Sequence, residues 1–389
     1  MFDIPDGMIY LNGNSLGPMP KAAPDVMQNF LMDEWRTELI KGWNSKNWWM
    51  QSNLLGDRIA KLIGAAPGTT VVGDTLSIKV FQAVAAGLAM VPDRRVILSD
   101  NGNFPTDLYM AEGLMKLKDD GYVLQIPEPE ELLDAITQDV AVVMVTEVDY
   151  RTGRKHDMKA IIEKAHAMGA VVVWDLAHSV GAIPVDVTGT DADFAVGCTY
   201  KYVNAGPGAP AFIYVAPRLL DNVEPALSGW YGHEAPFAFD TDYRPMPGKI
   251  ERMRIGTPSI AAYNLLSAAL NVWDHVDMAD LKTKSIALSE LFIAEVEARC
   301  PGVTFAGPRD PEARGSHIPF RFEHGYACMQ ALIEKGVIGD FRTPDIMRFG
   351  ITPLFIGEDD IIKAVDIMED VLTSEIWKED RFQIRAKVT

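Results

Sequence analysis

Between Val71 and Val215, short β-rich runs alternate with helical stretches: RRVILSD, GYVLQI, VAVVMVTEVD, AVVVWD, DFAVGCTY and PAFIYV. Strands that are apolar along their whole length, rather than at every second residue, are buried on both faces. Alternating with helices, they predict an α/β fold whose mainly parallel sheet is covered on both sides. In such sheets functional groups collect at the carboxyl ends of strands. Asp100, Glu147, Asp149, Asp175 and Lys201 end or follow these runs and are site candidates by position alone.

On either side of this region the periodicity changes. The extended opening MIYLNGNSLGPMP leads through Pro20 to the helical stretch KAAPDVMQNFLMDEW, and the aromatic segment holding Trp43, Trp48 and Trp49 precedes a helix from Met50 to Ile63. From about Ala261 the helical stretches LLSAALNVWDHV and ALSELFIAEVEARC run to a stop at Pro301 and Gly302, and shorter strands and helices follow. The expected organisation is an N-terminal segment (1–40), a large domain (41–260) and a smaller α+β domain (261–389).

A formal charge of −18 with no offsetting basic run disfavours nucleic acid or an anionic membrane as partner. The opening residues are acidic rather than basic, and no apolar run reaches the length of a membrane span, so a soluble chain without a secretion signal is expected. Cys198, Cys300 and Cys328 are irregularly spaced, showing neither a disulfide framework nor a metal-ligand cluster, which suits a reducing cytoplasm.

Asp175 and Lys201 carry the most specific chemistry. Pyridoxal phosphate (PLP) needs a lysine to form an imine with its aldehyde and a carboxylate to keep the pyridine nitrogen protonated. Lys201 follows an apolar strand and precedes Asn204, Gly206 and Gly208, small residues that leave room for a flat ring. Taken singly, Lys201 also reads as a strand-end lysine reaching solvent, and Asp175 as a helix N-cap.

The motifs NGNSLGP, VVGDTLSI, NFPTDLYMAEG, EVDYRTG, WDLAHSVGA, CTYKYVNAGPGAPAF, GWYGHEAPFAF, RIGTPSI and DIMRFGITPLF occur in order from residue 10 to about 356 and together resemble those of kynureninases. The resemblance implies fold type I of the PLP-dependent transferases, similar to the aspartate aminotransferases, in a homodimer with sites at the subunit interface. It implies hydrolysis of kynurenine to anthranilate and alanine, or the same cleavage of its 3-hydroxy form, in tryptophan catabolism by the kynurenine pathway and towards NAD biosynthesis.

By the same resemblance, Lys201 is the Schiff-base lysine and α-proton base, and Asp175 pairs with the pyridine nitrogen. His178 is expected to orient Asp175, and Tyr200 to relay a proton. Leu76, Ser77, Tyr200, Trp230 and Thr257 hold the phosphate, some from the partner subunit. Phe104 stacks on the ring, Thr106 and Asp107 complete its loop, and Thr146 lies near the ring substituents. Arg348 and Asn14 take the substrate carboxylate, and Trp43 is assigned to the substrate pocket. Without the family, Ser77 is an ordinary helix-start residue, Phe104 and Trp230 are core aromatics, His178 is structural and Asn14 forms a turn. The tryptophans then form a packed cluster, and Arg342 is read as a solvated surface charge.

A cysteine desulfurase or selenocysteine lyase shares the lysine but needs a reactive loop cysteine and usually a His before the lysine, where Tyr200 stands. An aminotransferase would use the same lysine, aspartate and arginine and differ in its product, a keto acid rather than alanine. More distant still is a non-catalytic protein that keeps the PLP-binding fold.

Overall fold

The computed structural model describes residues 1–385. All six β-rich runs form strands of one seven-stranded sheet, in the spatial order Thr70–Val72, Ala211–Val215, Phe194–Cys198, Val171–Asp175, Val140–Thr146, Val96–Leu98, Val123–Gln125. The strands are parallel except Ala211–Val215, which runs antiparallel to both of its neighbours. Every residue from Val140 to Thr146 is buried. Val143 and Val145 enter the core on one face, with Ile59, Ile161 and Leu266; Val142 and Met144 enter the other, with Val80, Val84 and Leu114. Burying such an aliphatic side chain contributes about 1.5–3 kcal/mol, so both faces of the strand demand apolar residues.

A second, four-stranded antiparallel sheet orders Thr304–Phe305, His317–Arg321, Ile346–Gly350 and Asp340–Arg342. Phe292, Phe320, Phe349, Val365 and Met368 form its core with the helices Met278–Arg299 and Glu358–Thr373. The N-terminal segment is tied to this unit: Ile9–Tyr10 pairs with Val337–Ile338, and Leu11 is fully buried there.

One expected boundary moves. The Ile260–Trp273 helix, read as the start of the small domain, buries Tyr263, Leu266 and Leu270 in the large core. The change of core falls inside the Met278–Arg299 helix, where Leu281 joins the large core and Leu288 the small one. Helical periodicity shows that a face is apolar, not which core it meets. The Asp277 carboxylate caps this helix by accepting from the Ala279 and Asp280 N–H groups, a contribution of about 1 kcal/mol. Among the described residues no helix is long and apolar enough to cross a membrane.

Candidate active site

Asp175 and Thr146 end adjacent parallel strands in register, which places them side by side at the carboxyl edge of the large sheet. The Asp175 carboxylate accepts from the Ala177 N–H at 2.8 Å. The Thr146 hydroxyl is 3.1 Å from the Val148 carbonyl and 3.4 Å from that of Asp175, so it is spent on the strand ends themselves. Lys201 follows the next strand in a turn closed by Asn204 N–H to the Lys201 carbonyl at 2.9 Å. The N-terminal segment lies on this turn, with Gly17 N–H donating to the Tyr200 carbonyl at 2.8 Å. A Cβ at Gly17 would collide with the Lys201 carbonyl oxygen, so close approach requires glycine here.

The Lys201 amine has one hydrogen-bond partner among the described residues, His178 Nε2 at 3.0 Å. It lies 5.8 Å from the ring centroid of Phe104, and Phe104 is 40 % exposed. His178 therefore faces the lysine and not, as expected, Asp175. Burial first, then the Lys201 charge, holds its imidazole well below the ordinary value, and its Nδ1 is buried without a partner. Behind it stands His317 from the small domain, ring centroids 5.2 Å apart, within 3.0 Å of the Asp149 carbonyl through Nε2 and pushed down to about 3 by burial. Sequence reasoning missed His317, because nothing in SHIPFRF tells which domain edge it meets.

Asp107, in the first turn of the Pro105–Lys118 helix after Thr106, is buried beside Asp175. Burial and then the Asp175 charge push the Asp107 carboxyl well above the usual range; burial also raises Asp175, opposed by the Lys201 charge. Two carboxylates this close do not both ionise. Tyr200 is raised by neighbouring Cys198 and then by burial, so its phenol keeps its proton. Leu76 and Ser77 open the Leu76–Met90 helix, whose N-cap Thr75 makes no side-chain capping bond.

Arg348 comes from the centre of the small sheet. It is buried, donates to both oxygens of Asp340, and also reaches the Tyr150 carbonyl and Ser15 Oγ. Asn14 is fully buried with both side-chain amide atoms unpartnered, in a space that a Cβ at Gly350 would invade. Arg342 is not a solvated surface charge. It is half-buried, 3.0 Å from Asp340 Oδ2, and burial lowers its pKa.

Three expected site residues lie elsewhere in the chain. Trp43 packs edge-on to Trp48 at 5.7 Å and reaches Tyr231 at 6.3 Å; Trp230 meets Tyr231 at 5.0 Å and Trp49 at 5.3 Å. Thr257 is an exposed residue three positions after Arg254, whose guanidinium lies 4.5 Å over the Tyr231 ring. None of the three shares a hydrogen bond or ring contact with Lys201, Asp175 or His178 within one chain.

The fold is shared with solved structures of other proteins. The chain is similar to the cysteine desulfurase of Thermococcus onnurineus NA1, with a TM-score of 0.79, 18 % identity, and coverage of 94 % of this chain and 95 % of that one. It is equally similar to a variant of C-DES with glycine covalently linked to its PLP cofactor, at TM-score 0.79 and 16 % identity over 94 % and 97 % of the two chains. At such identities the likeness establishes the fold alone.

The sequence is more particular. Residues 281–368 match the kynureninase C-terminal domain. The kynureninase of Pseudomonas fluorescens is 48 % identical over 395 aligned residues, covering all of this chain and 95 % of that protein. The chain belongs to the kynureninase family. The cysteines separate it from the desulfurases: all three are buried, and burial pushes Cys300 up to about 11 and Cys328 up to about 12, so neither offers a thiolate near neutrality.

Proposed function

We propose that this protein hydrolyses L-kynurenine to anthranilate and L-alanine, with PLP carried by Lys201. The observation that carries the reading is a lysine amine with one partner, held between His178 and the open face of Phe104, one strand away from a buried carboxylate. These residues fit the cofactor: Phe104 offers a face to a planar ring, Asp175 a carboxylate to its nitrogen, and the uncapped helix start at Leu76 and Ser77 offers N–H groups to its phosphate. Bound there, PLP supplies an aldehyde carbon and an electron-accepting ring.

The remaining work belongs to the chain. Asp175 holds the ring nitrogen, and Asp107, kept protonated, leaves the pair a single negative charge. His178 stays neutral and steadies the lysine amine. Lys201 removes the substrate α-proton and Tyr200 relays a proton through its phenol. Arg348 and the unpartnered amide of Asn14 receive the substrate carboxylate. Water adds to the γ-carbonyl; as the Cβ–Cγ bond breaks, the hydrated acyl side leaves as anthranilate, and a proton delivered to Cβ completes alanine.

The working form is a homodimer. Trp230, Phe237 and Phe239 are exposed beside Thr257's segment, and a second copy would cover them and bring Trp230 and Thr257 to the neighbouring phosphate. Trp43 belongs to that same aromatic wall. Unsubstituted kynurenine is preferred over the 3-hydroxy form, and the enzyme acts in cytoplasmic tryptophan breakdown, with NAD biosynthesis downstream.

The test is to mix the PLP-loaded protein with L-kynurenine, following anthranilate fluorescence and assaying alanine. Equal amounts of both, absent in Lys201→Ala, are expected. An intact cofactor absorbance with no anthranilate and alanine from kynurenine, and no 3-hydroxyanthranilate and alanine from 3-hydroxykynurenine, overturns the reading.

A further inference from the structure

Asp340 is 1 % exposed and faces two arginines. Its strand partner in register is Arg348, so carboxylate and guanidinium lie together on one face of the sheet. Arg348 Nε donates to Oδ1 at 2.8 Å and Nη2 to Oδ2 at 2.5 Å, while Arg342 Nη2 reaches Oδ2 at 3.0 Å and the Ser15 hydroxyl donates to the same oxygen.

The five N–H groups of Arg348 can then be followed one by one. Nε–H and one Nη2–H are fixed by Asp340, the other Nη2–H is 2.9 Å from Ser15 Oγ, one Nη1–H goes to the Tyr150 carbonyl, and one remains. The side edge of the fork is closed. At its end, one Nη2–H meets only Ser15 Oγ, whose own proton is donated to Asp340, so a ligand there would displace a single hydroxyl. In charge, two guanidiniums share one carboxylate, an excess of one positive charge where Asp340 and Arg348 are buried and Arg342 is half-exposed. Beside it stands Asn14, also buried and without a partner. Such an excess is costly until an anion arrives.

We propose that Asp340 is the positioning residue of the carboxylate site. It clamps the Nε edge of Arg348 so that only the end of the guanidinium meets the substrate, while Arg342 supplies the unbalanced charge that a single α-carboxylate neutralises. The proposal rests on Arg348 being the carboxylate ligand.

The test compares L-alanine with L-alaninamide, titrated by absorbance into the PLP-loaded dimer of the parent and of Asp340→Asn, Arg342→Gln and Arg348→Gln. In Asp340→Asn the dissociation constant for alanine should rise at least tenfold, with that for alaninamide within twofold. Charge alone predicts the opposite sign, because removing the anion leaves two guanidiniums uncompensated. Tighter or unchanged alanine binding therefore overturns the clamp, and an equal loss for both ligands reduces Asp340 to a structural residue.

Arg342→Gln lies at a half-exposed position and tests the charge excess even if Asp340→Asn fails to fold. Alanine affinity should fall three- to tenfold, with the amide unaffected, and an unchanged value overturns the proposal. Arg348→Gln separates the two readings. If it still prefers carboxylate over amide, Arg348 is not the ligand and both readings fall. If it loses the preference while Asp340→Asn keeps it, only the clamp is wrong.

Discussion

Two lysines, Lys79 and Lys201, both extend into the interior of the large domain, and their surroundings differ. Lys79 is 1 % exposed and spends its ammonium on Asp74 and Gln82 at 2.9 Å each and on the Met253 carbonyl at 3.3 Å. Burial lowers its pKa and Asp74 partly restores it. Lys201 has only His178, and the Phe104 ring beside it is open. A structural lysine saturates its three donors, whereas a reactive one is surrounded by groups that leave its nitrogen available.

The comparison breaks if the two lysines exchange phenotypes. Lys201→Ala should lower anthranilate formation by about 10³-fold or more while leaving the urea unfolding midpoint in place. Lys79→Met should do the reverse. It leaves the buried Gln82 Oε1 without its donor, a loss of about 1–3 kcal/mol visible as a lower urea midpoint, with per-molecule activity of the folded fraction retained.

Glu147 sharpens the same contrast with a carboxyl group. It is buried with one oxygen unpartnered, and burial raises it from 4.5 to about 7. A folded pKa above the unfolded one means that the native state holds the proton more tightly. Its contribution is full below about pH 4.5 and is lost as pH rises through about 7, on the order of 3 kcal/mol. In Glu147→Gln, urea denaturation from pH 4 to 8 should lack that downward slope; an identical slope would assign it to other groups.

A smaller effect is expected at the carboxyl pair. Asp107→Asn imitates a protonated acid and should change kcat/KM by less than about tenfold, or 1.4 kcal/mol, whereas Asp175→Asn should lose considerably more. Equal losses would mean that Asp107 is ionised in the native protein. The smallest effect belongs to the cysteines. Iodoacetamide applied to the native protein at neutral pH should leave anthranilate formation within about twofold, because all three thiols are buried and un-ionised.

The placement of Lys201 and Asp175 was legible because it depends on position along the chain: Asp175 ends one strand, Lys201 follows the next by three residues, and parallel strands bring their carboxyl ends to one edge. Arg342, Asp340 and His317 were not. Their strands carry no pattern that reports which domain edge they face, and Arg342 reads like any surface arginine until Asp340 and Arg348 surround it. His178 was found, but with the wrong neighbour, since three residues of chain after Asp175 do not reveal where an imidazole points. Trp43, Trp230 and Thr257 were named from motifs, yet motif order carries no information about which residues meet in space, and within the chain these three stand apart from Lys201.

By itself the sequence determined six of the seven strands of the large sheet and the sheet type, because two-sided burial is written in local composition and spacing, and the order of its motifs carried the resemblance to the family. Only the tertiary structure decided which core the Ile260–Trp273 helix joins, that the N-terminal segment lies across the lysine turn through Gly17, and that one buried carboxylate holds two arginines. Those outcomes depend on side-chain direction and domain docking between residues up to 333 positions apart in the chain, as for Ser15 and Arg348, over which local sequence pattern has no reach.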